Sequence, residues 1–210
     1  MDNPIPDHRS GLSLDELCAG LPEPVFQSQQ IFRQVLTALS EPGTRLTLAP
    51  LASPGGIHRA AYQICLALLD ADTSLWVADT LATPALLSSL RFHCGCPITP
   101  ERGSATFALS TPDAIGDLDG FCQGTHEYPD RSTTVIVQVN NLHNTGPWQL
   151  SGPGINGCRQ VCIEGLEGNW LAWLQANRAA YPLGVDLLLT DGNSLMGLPR
   201  TTNVEMESCM

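Results

Sequence analysis

The pattern of apolar and polar positions begins as a helix: Phe26, Phe32, Val35, Leu36 and Leu39 recur at helical spacing until Glu41-Pro42-Gly43 ends the run. Residues 44–48 then alternate as a short strand, with Leu46 and Leu48 on one face and Arg45 on the other. Loop punctuation fills 49–57, APLASPGGI. From His58 the helical period returns, with Ala61, Ile64, Cys65, Leu68 and Leu69 as the expected buried stripe. Residues 74–78 read as a strand. Thr83-Pro84 opens the next helix, Thr83 as a side-chain cap and Pro84 at the first position, where its missing N–H costs nothing. Leu86, Leu87 and Leu90 form that helix's apolar side, and Phe92 continues it.

In the second half, 105–109 predicts a strand and Thr111-Pro112-Asp113 the start of a short helix. Residues 116–129 are mixed and irregular. TTVIVQV at 133–139 is the strongest β-branched run, and its Val135-Ile136-Val137 centre predicts an interior strand covered on both faces. A polar turn over 140–147, a short strand at 148–150, a reversal at 151–155 and an edge strand at 158–163 follow. Trp170, Leu171, Trp173, Leu174 and Asn177 fit an amphipathic helix whose indoles read as core or subunit contacts. The chain closes with a hairpin: a strand over 185–189 interrupted only by Asp186, a turn at Asp191-Gly192, and a return through Leu195, Met196 and Leu198 into Pro199-Arg200-Thr201-Thr202. This order predicts an α/β fold, a three-layer α/β/α domain with a mixed sheet. One domain is expected over 26–210, behind a flexible or loosely docked segment at 1–25 that holds a short amphipathic stretch at 12–18.

Charge changes this picture by exclusion. The 210 residues carry 21 acidic against 10 basic side chains, which argues against nucleic acid or an anionic membrane as partner. No apolar run approaches the roughly 20 residues that span a bilayer. The polar opening MDNPIPDHRS has no secretory pattern, so a cytoplasmic protein is expected. All ten basic residues are arginine. Without lysine, a Schiff base to pyridoxal phosphate and a P-loop lysine are both impossible. The eight cysteines are expected to be reduced thiols, and the spacing of Cys94-Gly95-Cys96 and Cys158–Cys162 departs from a CxxC metal pair, so no metal is assigned.

The common catalytic signatures are missing: no GxSxG elbow, GxGxxG loop, HExxH helix or Walker A sequence occurs. Candidate chemistry rests on scattered polar groups. Arg91 and His93 offer a forked and a titratable donor near a helix end. Asp186 is a carboxylate inside an apolar strand. Arg200 with Thr201 supplies a forked cation and a hydroxyl, a corner that suits an anion or a partner protein equally.

Several collinear blocks resemble the PhnH family of the bacterial carbon–phosphorus lyase system. They are Phe32-Arg33 with Ser40-Glu41-Pro42-Gly43, Ser89-Leu90-Arg91-Phe92-His93, Ala105-Thr106-Phe107-Ala108, Leu150 to Ile155, Tyr181 to Asp186, and Pro199-Arg200-Thr201-Thr202. The resemblance implies a subunit in alkylphosphonate catabolism that supports transfer of the ribose triphosphate part of ATP to the phosphonate, with release of adenine, alongside PhnG-, PhnI- and PhnJ-like subunits. It also implies a fold like that of pyridoxal-phosphate-dependent transferases without the cofactor, a homodimer in isolation, and iron–sulfur chemistry that belongs to a partner. ATP or phosphonate are the ligand candidates. Arg91, His93, Asp186, Arg200 and Thr201 are carried over as a binding or assembly surface, with no catalytic residue assigned. A direct catalytic contribution, Arg91 and Arg200 on phosphates and Asp186 on ribose, is the alternative, and a free-standing anion-binding domain the third. The chain departs from the family pattern in its acidic amino-terminal extension, in Cys94-Gly95-Cys96 and in Asn203, where a histidine can follow the paired threonines.

Overall fold

Strand β4 (Thr134–Gln138) sits at the centre because its sequence is apolar on both sides: Ile136 enters one core, Val135 and Val137 the other, and all three are fully buried. This computed structural model describes residues 17–115 and 119–206. The amphipathic stretch expected at 12–18 falls almost wholly outside the described residues, as do Cys209 and the start of the irregular 116–129 connection.

Around β4 runs a six-stranded sheet in the order β1-β8-β7-β4-β3-β2, formed by β1 (Leu46–Thr47), β2 (Leu75–Val77), β3 (Phe107–Ser110), β7 (Asp186–Asp191) and β8 (Ser194–Leu198). β2, β3, β4 and β7 are parallel, and β8 and β1 pair antiparallel beyond them. The mixed sheet is therefore as expected. The hairpin turn lies one residue later than its sequence reading, at Gly192-Asn193, since Asp191 still pairs with Ser194.

Three helices cover one face: α1 (Pro24–Ser40), α2 (Arg59–Leu68) and α3 (Pro84–Cys94), packed on Ile136, Leu188 and Leu195. Thr83 caps α3 as its sequence predicts, its hydroxyl accepting from the Leu86 N–H at 3.2 Å. The buried face of α1 differs from the predicted stripe. Ile31, Val35 and Ala38 point inward, while Phe26, Phe32 and Leu36 are exposed. The reason is close approach: a Cβ on Gly197 of β8 would lie 2.4 Å from the Ala38 carbonyl oxygen, so the helix meets the sheet on its small residues. Phe92, expected to continue α3's apolar side, is likewise exposed.

The other face corrects the α/β/α expectation. A three-stranded antiparallel sheet, β6-β5-β9, covers it together with the single long helix α5 (Trp170–Ala179). It is built from β5 (Asn141–Ser151), β6 (Cys158–Glu164) and β9 (Asn203–Met206). The predicted polar turn at 140–147 is part of β5, whose register breaks between His143 and Trp148. Pro147 falls inside that break, where a residue without an N–H can sit in a strand. β9 follows the final hairpin and has no counterpart in the sequence reading. A short helix, α4 (Pro112–Ile115), leaves the end of β3 as Thr111-Pro112-Asp113 predicts.

Candidate functional site

Asp186 opens β7, and β8 returns its chain to the same edge of the sheet, so the turn after Leu198 delivers Arg200 onto that carboxylate. Oδ1 of Asp186 accepts from the backbone N–H and Nε of Arg200 at 2.8 and 3.2 Å, and Oδ2 accepts from Nη2 at 2.6 Å. The same guanidinium donates to the Pro129 and Pro182 carbonyls at 2.9 and 3.2 Å and to the Ser132 hydroxyl. Only 10% of the Arg200 side chain is exposed. The cation named as an anion receptor is thus committed to the protein itself, and a charge-assisted, two-point pair of this kind is strong because both partners are oriented. Thr201 lies beside it on a surface recess of about 280 Å³ that also includes Tyr181 and Asp130.

Other motif blocks meet in the same way. A Cβ on Gly154 would fall 2.0 Å from the Ser40 carbonyl oxygen, so the 150–155 block and the 40–43 block require each other's backbone. Arg159 of β6 fixes that junction by donating to the Glu41 and Pro42 carbonyls and the Thr44 hydroxyl. The recognisable glycines and prolines hold the two sheets and α1 together.

Arg91 and His93 occupy the last turn of α3, where a cation faces the helix's carbonyl end. No hydrogen bond or ion pair among the described residues joins them to Asp186. His93 instead holds the chain's amino-terminal stretch: its Nε2 lies 2.9 Å from the Cys18 carbonyl oxygen, and Gly20 rests against its ring so closely that a Cβ would be 2.8 Å away. The Cys18 N–H donates to Ser89 at 2.9 Å. The five sequence candidates therefore form two places.

Near Arg91 lies a group of thiols. Burial pushes Cys65 up from the ordinary 9.0. Within the Cys94/Cys96 pair, the hydrogen bond between the thiols lowers Cys96 and raises Cys94. Tyr62 is also pushed up by burial. All seven cysteines among the described residues are free thiols, and no group of three or more His, Cys, Asp or Glu among these residues is placed to hold a metal ion.

A cavity of about 570 Å³ opens at the opposite edge of the sheet, beyond the carboxyl ends of β3 and β4. That edge is where open parallel sheets carry their ligands. Thr111 and Asn140 follow the two strands, and Asn169, Trp170 and Trp173 come from the start of α5. None of these was a sequence candidate. The available signal was positional: polar residues directly after two predicted parallel strands. Trp170 is 7% exposed, which matches its reading as core, yet it also forms part of this wall.

Comparison with known proteins aligns nearly the whole chain. The family described as bacterial phosphonate metabolism protein (PhnH) matches residues 19–205. The chain is similar to the alpha-D-ribose 1-methylphosphonate 5-triphosphate synthase subunit PhnH of Rhizobium meliloti (strain 1021), 36% identical over 188 residues, covering 88% of this chain and 94% of the relative. It is also similar to HtxG of Stutzerimonas stutzeri, named for a C-P lyase subunit, 31% identical over 183 residues, with coverage of 86% and 87%.

Proposed function

Because the chain belongs to the PhnH family of bacterial phosphonate metabolism proteins, we propose that it is an accessory subunit of the assembly that transfers the ribose triphosphate part of ATP to an alkylphosphonate and releases adenine. PhnG-, PhnI- and PhnJ-like chains are its partners in this reading, in the cytoplasm, ahead of carbon–phosphorus cleavage. The observation that carries it is the family match along residues 19–205, together with two relatives named as subunits that cover 88% and 86% of this chain. Pyridoxal phosphate bound through an internal lysine has no part in it, since the chain contains none. Iron–sulfur chemistry falls to a partner.

The surface of α1 supports a role in assembly. Val25, Phe32 and Leu36, spaced seven and four residues apart, form one exposed apolar line on that helix, with Val25 90% exposed. Large uncovered apolar side chains on one face are the material of an interface core. A partner subunit of the complex is the occupant assigned to it here. Co-purification with a tagged chain tests the whole reading: the PhnG-, PhnI- and PhnJ-like subunits should be retained. Their assembly without this chain present in the complex would overturn it, and a homodimer that Phe32→Glu dissociates would reassign the α1 face to a second copy.

A further inference from the structure

The cavity beyond β3 and β4 has a chemistry distinct from anything the family match assigns. Its titratable lining is anionic: Asp113, Asp119 and Glu167 face it, and among the described residues no arginine or histidine does. Phosphate is therefore disfavoured there. What remains is aromatic and amide. Trp170 and Trp173 stand edge to face with centroids 5.8 Å apart. Trp170 is more than nine-tenths buried, yet its indole N–H has no acceptor among the described residues and keeps its access to the cavity. The N–H is not among the side-chain atoms shut off from solvent without a partner, so it is a donor at the cavity wall that a ligand acceptor can reach. Asn169 stands at the N-cap of α5 without making a side-chain cap bond, and the Asn140 amide and Thr111 hydroxyl make no side-chain bond among the described residues.

We propose that this cavity binds an uncharged nucleobase, free or as a nucleoside. A flat heterocycle satisfies the indole wall. Its ring nitrogens accept from the Trp170 N–H and from amide N–H groups, and its exocyclic amine donates to amide oxygens and to the carboxylate rim. A simple organic cation would suit the carboxylates but offers nothing to the indole donor. A phosphorylated ligand would suit neither. The volume of about 570 Å³ accommodates a base with its ribose.

Titration of the purified full chain with adenine, adenosine, ATP and ribose, followed by calorimetry and tryptophan fluorescence, tests the assignment. Adenine and adenosine should bind saturably and quench the tryptophans. ATP should bind at least about tenfold more weakly at low salt, with the gap narrowing as salt is added. Asn140→Ala, at an exposed position, should weaken adenine by about tenfold while circular dichroism stays unchanged. Asp113→Asn with Glu167→Gln should bring ATP closer to adenosine. No saturable response to adenine or adenosine would overturn the proposal, as would ATP binding more tightly than adenosine, or ribose alone reproducing the signal. These readouts use the isolated chain, so they stand or fall separately from co-purification.

Discussion

Arg200 closes on Asp186 through three hydrogen bonds, from its backbone N–H and Nε to Oδ1 and from Nη2 to Oδ2. The pair joins the first residue of β7 to the turn after β8, and its remaining donors reach Pro129, Pro182 and Ser132. It is a clamp that closes the amino-terminal edge of the sheet.

Removing one charge should therefore act on stability. Asp186→Asn leaves a guanidinium that is 10% exposed without its counter-ion, a loss of about 3 kcal/mol. For a chain of this length that is a fall in Tm of roughly 6–12 °C. Arg200→Lys, which keeps the charge but loses the fork and the carbonyl bonds, should fall by about half as much. Thermal melts followed by circular dichroism measure both, and an unchanged Tm for Asp186→Asn would contradict the clamp.

The exposed apolar line on α1 predicts a separation of function from folding. Phe32 is 47% exposed, so Phe32→Glu should change stability by no more than about 0.5 kcal/mol. In the proposed assembly the same substitution sets a charge on the docking face, and retention of partner subunits in a pull-down should drop at least about tenfold. A variant that melts normally and still co-purifies fully would remove α1 from the interface.

Close packing of α1 on β8 gives a third expectation. A methyl group at Gly197 would meet backbone, the Ala38 carbonyl oxygen at 2.4 Å, and backbone cannot rotate aside. Gly197→Ala should cost about 2–3 kcal/mol, visible as an earlier urea midpoint. The neighbouring substitution Met196→Leu, close to volume-conserving on the other face, should cost less than about 1.5 kcal/mol.

Alkaline pH should loosen the fold through Cys65. Its thiol is fully buried and pushed above the ordinary 9.0 by that burial. Unfolded chain therefore loses this proton first. The stability tied to the neutral thiol is complete below 9.0 and declines as pH rises beyond it, by about 1.4 kcal/mol per pH unit for one group. Tyr62, pushed up by burial as well, adds the same sign at higher pH. Urea melts between neutral pH and about 10.5 should show this decline, with a shallower slope in Cys65→Ala. Equal slopes would exclude Cys65 as its source.

Much of the secondary structure was legible because it depends on local chemistry. Thr83-Pro84 starts α3 where a side-chain oxygen can cap it, and Val135-Ile136-Val137 announces a strand buried on both faces. Faces were harder to read. Hydrophobic spacing alone put Phe32 and Leu36 inside, whereas the depth of α1 is set by Gly197, more than 150 residues away in sequence. The site candidates show the same division. Arg200 and Asp186 stood out as unusual residues, but their pairing requires β8 to bring the chain back to the start of β7.

By itself, the sequence determined the order of most elements up to the final hairpin, the mixed sheet, the absence of lysine chemistry and the family, since each follows from residue identity and short-range spacing. Tertiary structure decided which charges remain available and where a cavity opens. It placed Asp186 on Arg200, set His93 against Cys18, and gathered Thr111, Asn140 and Trp170 from three separate elements at the carboxyl edge of the sheet. Those outcomes depend on strand order and on which layer covers each face, quantities fixed by long-range packing that no local window of sequence contains.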